Sequence, residues 1–259
     1  MNAPDYEYRG LMAATWDVWR DDTAHWDDRV FFRDLVRQYG QPALDVGCGT
    51  GRIVLDYLSE GVDIDGVDNS PEMLAICREK AQKQGVSPNL YQQAMETLDL
   101  PRTYRTILVP SSSFQLVTDA EPAGEAMRRF FAHLQPGGAL VMPFGFSWKD
   151  GDPLQTDWFP VFEKVRPGDG ATVRRRTRAR FSPENQLWHS EDRYEVVLGD
   201  AVIASEDHQR SPAGRWYSQA QAAQLYRDAG FEDIRLFRGF TQTPASAEDT
   251  LFCVLGVKP

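Results

Sequence analysis

The chain is short of several things, and each shortage narrows its class. It has three cysteines in 259 residues, Cys48, Cys77 and Cys253, an odd and scattered set without zinc-like or disulfide-framework spacing. No metal is therefore expected, and three unpaired thiols suit a reducing compartment. No run of eighteen apolar residues occurs, so no helical membrane span is expected. The opening residues, Met1 to Glu7, are acidic and lack the apolar core of a signal peptide; the expected location is cytoplasmic. Basic charge is also in deficit, since 28 Lys and Arg against 38 Asp and Glu leave a net charge of −10. A surface that neutralises a row of phosphates needs the reverse balance, which argues against DNA or long RNA as a partner.

What is present is enough chain for one large α/β domain with an insertion. Its centre is the stretch 43–52, ALDVGCGTGR. Ala43, Leu44 and Val46 read as a strand, Gly47, Gly49 and Gly51 as a turn, and Ile53, Val54, Leu55, Tyr57 and Leu58 as a helical apolar face. Glycine lets such a turn take positive φ and approach a ligand, while free N–H groups at the helix start face the same space. The spacing is G-x-G-x-G, whereas the dinucleotide fingerprint needs its third glycine where Arg52 stands. Asp45, two residues before the first glycine, can accept hydrogen bonds from a cationic ligand and would repel a pyrophosphate. Asp68 ends the next apolar run, 21 residues after Gly47, the separation at which a βαβ unit brings an acid to a ribose.

The segment LDVGCGTGRIVLDYLSEGVDIDGVDNSPEML resembles the first two motifs of the class I S-adenosylmethionine-dependent methyltransferases, and the likeness runs more loosely from Trp16 to the C-terminus. The resemblance implies an α/β, Rossmann-like fold with a doubly wound, mostly parallel sheet of seven strands. It implies S-adenosylmethionine as cofactor and S-adenosylhomocysteine as product. By the same resemblance Asp45 and the loop of Gly47, Cys48, Gly49 and Gly51 hold the methionyl part, and Asp68, with Asn69, meets the ribose; Met73, on the face of the next helix, either touches the cofactor or packs as ordinary core. Relatives usually carry an acid at Ala94 for the adenine amino group; here either Glu96 substitutes, or the backbone around Met95 reads the ring. Pro110 and Ser111, at the end of the fourth strand, border the cofactor. Trp16, paired with Asp17, either folds over the cofactor or packs its own segment onto the domain. Trp19, Ser113, Phe114 and Phe144 are expected around the methyl acceptor.

Residues 1–40 are rich in aromatics and are expected to form a lid; helical spacing from Trp26 puts Val30, Phe31, Leu35 and Val36 on one side. Strands are predicted near 62–67, 89–93, 106–110, 139–142, 233–240 and 250–257, and helices near 51–60, 71–84, 120–134 and 219–229. The cofactor domain then comprises 41–143 and 217–259. Between these parts, 144–216 shows no amphipathic helix of ordinary length; 172–181, 186–198 and 201–209 read as antiparallel strands of an insertion, before the last helix, that covers the substrate site. Alternation puts Arg174, Arg176, Arg178 and Arg180 on one face. The predicted pairing sets Arg176 opposite Glu191 and Arg193 opposite Glu206, a charge-balanced and solvated face rather than a nucleic-acid surface. Trp188, Tyr194, Val196 and Ile203 form its apolar opposite. The loop 241–249 is polar and expected to be mobile.

The expected activity is direct in-line methyl transfer to a nitrogen or oxygen of a small metabolite, by a chain that can act alone or as a homo-oligomer. No catalytic residue is nominated. His133 sits at a helix end, His189 and His208 fall on the exposed sheet face, and His25 beside Trp26 is a candidate base. A nicotinamide (NAD) oxidoreductase using Asp68 similarly, and a cofactor-binding protein without turnover, stay open as other classes; an RNA methyltransferase is a variant of the first.

Overall fold

The computed structural model describes residues 6–20, 27–145 and 148–259; His25 and Trp26 lie outside them. Two short helices, α1 (Gly10–Ala14) and α2 (Trp16–Trp19), precede α3 (Asp27–Tyr39). The chain then alternates through β1 (Ala43–Val46), α4 (Val54–Ser59), β2 (Ile64–Asp68), α5 (Pro71–Gln84), β3 (Leu90–Gln92), β4 (Tyr104–Leu108), α6 (Ala120–His133) and β5 (Leu134–Gly145). Four further strands follow, β6 (Phe162–Val165), β7 (Thr172–Ser182), β8 (Leu187–Leu198) and β9 (Ala201–Arg215), before α7 (Gln219–Asp228), β10 (Glu232–Arg238) and β11 (Leu251–Val257).

The main sheet has the order β10-β11-β5-β4-β1-β2-β3. Pairings from β5 to β3 are parallel, while β11 runs antiparallel to β5 and to β10. This is the mostly parallel, seven-stranded architecture expected. β1 is flanked by β2 on one side and β4 on the other, so strand order reverses beside it and the loops leaving β1 and β4 diverge into a crevice. All four residues of β1 are buried, as a strand covered on both faces requires. Alternation sends Leu44, Leu140 and Met142 into a core with Phe130 and Tyr226, and Ala43, Ala139 and Val141 into the opposite one with Phe32 and Tyr57.

Local signals account for most element ends. The Ser70 hydroxyl accepts from Met73 N–H at 3.1 Å, Pro71 occupies the first turn, and Gly85 ends α5 at φ +68°. Ser218 and Gln221 form a reciprocal capping box on α7. Elsewhere the structure departs from expectation. Val30 points to solvent, and Phe32 takes its place among the buried residues of α3. β5 starts at Leu134 instead of residue 139, because the ladder to β4 jumps from Tyr104–Leu134 to Thr106–Ala139 and absorbs Gln135 to Gly138 as an irregularity.

The insertion is a four-stranded antiparallel sheet, β6-β7-β8-β9. Its first strand, FEKV, is too short and mixed to show alternation. Register also differs from the predicted pairing: Arg178, not Arg176, faces Glu191, while Arg176 faces Arg193 and Arg193 faces Asp207. The turn after β7 has the expected four residues but lies one position later, at 183–186 with Gln186 at φ +54°, which shifts every β7–β8 pair; the β8–β9 offset arises at the slip between Val196 and Val197. Charge balance is reached through other partners, Arg174 with Glu163 and Arg193 with Glu195. Ile203 is 54% exposed, because the β8–β9 ladder slips at Val196–Val197. Tyr194 and Val196 are buried as expected, but the same inner face also carries Arg175 and Asp192. The loop 241–249 is tied down by Asp249, which accepts from Ser246 and Arg238, and by Gln219, which donates to the carbonyls of Ser246 and Asp249.

Candidate active site

At the carboxyl ends of β1, β2 and β4 lies a cleft enclosing about 950 Å³, part of it open to solvent. Of the residues singled out from sequence, Trp16, Asp45, Gly47, Cys48, Gly49, Asp68, Asn69, Met73, Ala94, Met95, Pro110, Ser111 and Ser113 line it. The glycine turn runs at φ +70° (Gly47), +55° (Gly49) and +91° (Gly51). A Cβ on Gly47 would stand 2.9 Å from the Ser113 hydroxyl, so this glycine lets the serine loop close against the turn.

Gly51 serves packing rather than the cleft. A Cβ there would meet Cys77 Sγ at 2.6 Å and Leu55 Cγ at 2.7 Å, beneath the turn. Gly51→Ala is expected to lose about 2–4 kcal/mol, combining positive-φ strain with a clash against buried atoms. Urea unfolding checks this; a loss below about 0.5 kcal/mol would show that the turn yields freely.

Two polar atoms in the cleft are buried without a partner: Asp45 Oδ1 and Asn69 Nδ2. Asp45 is 1% exposed, and desolvation pushes its carboxyl up to about 7 against the opposing pull of Arg52. Asp68 closes the turn from β2, its Oδ2 accepting Gly49 N–H and its Oδ1 accepting Ser70 N–H, each at 2.8 Å. Burial raises its pKa and these backbone donors work against the rise. Burial also drives the Cys48 thiol well above its ordinary value, so it is an unreactive lining group.

Glu96 does not line the cleft. Its Oε2 accepts the Tyr6 hydroxyl at 2.6 Å, which commits the carboxylate to the N-terminal segment. The Gln93 amide is taken up by the Asp99 backbone. Phe114, in the 3-10 turn Ser113–Leu116 after β4, and Phe144, near the end of β5, are fully buried core, packed edge-on to each other and both against Tyr217, away from the cleft. Trp19 leans on Phe162 of the insertion, its indole N–H bonded to Thr15.

Residues 6–20 lie across the cleft and are stitched to both sheets. Asp17 accepts from Thr50 (2.6 Å) and Lys80 (2.9 Å), Gly10 N–H donates to Glu72, and Leu11 N–H donates to Glu206 of β9. Tyr8 meets Trp16 edge-on at 4.9 Å, and the Arg20 guanidinium lies 4.1 Å over the Trp16 ring. Tyr6, Tyr8, Arg20 and Arg52 line the cleft and were missed by motif. The aromatic density of the segment was the available signal for the tyrosines; nothing in the local sequence marks the arginines. Arg52, at the position of a dinucleotide third glycine, makes a paired contact to Asp28 of α3 at 2.9 and 2.6 Å. His133 is a structural link: Nε2 accepts Leu100 N–H, leaving Nδ1 to donate to Arg129 C=O. His208 is turned inward, edge-on to Tyr194 and 3.0 Å from Glu206, rather than lying on the exposed face.

Comparison with known proteins bears on this turn first. A family model described as a methyltransferase domain matches residues 43–138. The phosphatidylethanolamine N-methyltransferase of Cereibacter sphaeroides is 32% identical over 69% of this chain and 78% of its own length. The chain belongs to the S-adenosylmethionine-dependent methyltransferases. The dTDP-3-amino-3,4,6-trideoxy-alpha-D-glucopyranose N,N-dimethyltransferase of Streptomyces venezuelae is 32% identical over 55% of this chain and 57% of its own length. Several such sequence matches span only about half of the relative's length. A crystal structure of an S-adenosylmethionine-dependent methyltransferase from Clostridium acetobutylicum superposes over 95% of this chain and 96% of that one, with a TM-score of 0.76 at 18% identity, which speaks for the fold. Family membership decides against the nicotinamide oxidoreductase. The methyltransferase cofactor fits the residues present, since the orphaned Oδ1 of Asp45 suits a cation and the orphaned Nδ2 of Asn69 suits a hydroxyl or carbonyl.

Proposed function

We propose that this methyltransferase binds S-adenosylmethionine in the cleft and methylates a nitrogen or oxygen of a small metabolite in the cytoplasm. The observation that carries the cofactor reading is Asp45: a buried carboxylate with one oxygen unpaired, Val54 N–H serving the group otherwise, destabilises the free protein, and a cation delivered to it recovers that cost. The acceptor reading leans on the two N-methyltransferase relatives, whose names specify amines.

S-Adenosylmethionine, when bound, supplies a sulfonium-activated methyl group. Asp45 would hold its cationic amino end, the remaining lone pairs of Asp68 would meet the ribose hydroxyls, and the Met95 backbone would read the adenine that Glu96, engaged by Tyr6, leaves to it. Trp16 and Tyr8, held by the lid of residues 6–20, would exclude water and fix the acceptor's approach. Ser111 and Ser112 both hold φ +57°, strain placed at the end of β4 beside the cleft. With Trp19, Phe114 and Phe144 elsewhere, the acceptor would rest among Tyr8, Arg20, Ser113 and the inner face of the insertion. An amine acceptor must reach this space neutral, which solvent can achieve without a dedicated base.

Calorimetry with S-adenosylhomocysteine and NAD tests the cofactor reading. Wild type is expected to bind the former in the micromolar range and NAD not at all. Asp68→Ala loses the ribose partner and the acceptor that fixes Gly49, and should bind about 100-fold more weakly. Preference for NAD, or an unchanged variant, would sink the reading; methyl transfer to a panel of amines and phenols would then be uninformative.

A further inference from the structure

The serine loop after β4 borders the cofactor cleft in a conformation that its own sequence does not favour. Ser111 and Ser112 are consecutive non-glycine residues at φ +57°, just before the 3-10 turn Ser113–Leu116. Left-handed backbone crowds a Cβ, so two such residues in a row persist only where the surroundings over-determine them. Ser111 is exposed and lines the cleft, as do Ser113 and Leu116. Gln115, between the last two, does not line it and is 1% exposed.

The buried Gln115 amide is what ties this loop to the rest of the fold. β5 continues to Gly145, past its last pairing with β4 at Leu108–Val141. There Gln115 takes the place of a neighbouring strand: its Nε2 donates to the Gly145 carbonyl at 3.0 Å, and its Oε1 accepts Gly145 N–H at 2.8 Å. Nε2 also donates to the Arg215 carbonyl, at 2.9 Å. Gly145 ends β5 and Arg215 ends β9, so one side chain holds the points where the chain enters and leaves the insertion. Arg215 reaches back to the same loop, its Nε donating to the Thr118 carbonyl at 2.6 Å. On the other side of the strained pair, the Ser113 hydroxyl donates to the Pro110 carbonyl at 2.7 Å.

Resting on the cofactor and acceptor reading above, we propose that Gln115 is a positioning residue for methyl transfer: it clamps the serine loop to the root of the insertion and so keeps Ser111 turned toward the group to be methylated. An acceptor N–H or O–H can donate to the Ser111 oxygen, which orients the lone pair of the atom that takes the methyl group. Nothing in the local sequence marks Gln115, because its partners lie 30 and 100 residues away.

The test is calorimetry of the full chain with two probes, S-adenosylhomocysteine and sinefungin. Sinefungin carries an amine in place of the transferred methyl, on a carbon that replaces the sulfur, so it alone brings an N–H donor to the reaction centre. Gln115→Met keeps the volume and loses the three side-chain hydrogen bonds. It should weaken sinefungin about tenfold or more and S-adenosylhomocysteine, the control for folding, less than about threefold. Ser111→Ala, at an exposed position that folding does not depend on, should show the same selective loss. Adding Ser112→Gly to Gln115→Met supplies the residue that adopts positive φ freely, and most of the sinefungin affinity should return; a merely structural defect would not be rescued in this way. Equal losses for the two probes in Gln115→Met, an unchanged sinefungin affinity in either single variant, or no rescue by glycine would overturn the role of Gln115 while leaving the cofactor reading intact. A wild type that binds neither probe would overturn both.

Discussion

Asp45→Asn is expected to bind S-adenosylhomocysteine about 100-fold more weakly than wild type at pH 8, and yet to melt at a higher temperature when unliganded. Both effects come from one buried oxygen. Asp45 is 1% exposed, its Oδ1 has no partner, and desolvation lifts its carboxyl from 3.8 to about 7. Between those values the folded chain holds a proton that the unfolded chain has released. Stability from this group is thus fully present below 3.8, declines as pH rises, and is gone above 7. The whole excursion is on the order of 4 kcal/mol, and Asn, neutral at every pH, escapes it. A ligand ammonium needs the ionised form, so wild-type affinity should rise with pH through 7 and binding below 7 should release a proton. The variant should show neither slope. Calorimetry in buffers of different ionisation enthalpy reads the proton, and thermal melts at pH 5 and pH 8 read the stability. Equal pH profiles for the two proteins would remove Asp45 from cofactor binding.

The sequence made the cofactor side of this cleft legible because backbone geometry there is written in residue types. Glycines at 47, 49 and 51 report positive φ, Ser70 with Pro71 reports a helix start, and Asp68 reports the end of a strand. What a side chain touches across the fold is written nowhere locally. Phe114 follows β4 in the 3-10 turn Ser113–Leu116 and Phe144 stands near the end of β5, both beside cleft residues in sequence, but each ring turns into the core with Tyr217. Glu96 stands near the adenine position, but its fate depends on Tyr6, ninety residues away. The insertion register failed for a similar reason: a four-residue turn placed one position later, at 183–186, moves every β7–β8 pair, and the charged face has enough alternatives to balance in either register.

Asp65→Ala should cost about 3 kcal/mol of folding stability, from an acid that stands three residues before Asp68 in the same strand and does not line the cofactor cleft. Asp65, in β2, is 1% exposed like Asp45. Its surroundings are the opposite. Oδ2 accepts from Arg102 Nε at 2.8 Å and from the Tyr104 hydroxyl at 2.9 Å, while Oδ1 accepts from Arg102 Nη2 and from Asn89 Nδ2, each at 2.9 Å. A carboxylate so satisfied is a structural clasp joining β2 to the ends of β3 and β4, whereas one left with an orphaned oxygen is waiting for a ligand. Truncation removes the carboxylate to which the buried Tyr104 hydroxyl donates and leaves Asp63 as the carboxylate that holds Arg102. The loss falls toward the low end of the range for broken buried ion pairs, about 3–5 kcal/mol, because a third of the Arg102 side chain reaches solvent. Urea unfolding measures it, and Tyr104→Phe in both backgrounds isolates the hydroxyl, which should matter in wild type and become nearly free of cost once Asp65 is gone. Affinity of the folded fraction for S-adenosylhomocysteine should stay within about threefold of wild type. A stability loss below about 1 kcal/mol, or a collapse of cofactor affinity in a fully folded variant, would mean that Asp65 serves the cleft and that hydrogen-bond satisfaction does not separate the two kinds of acid in this sheet.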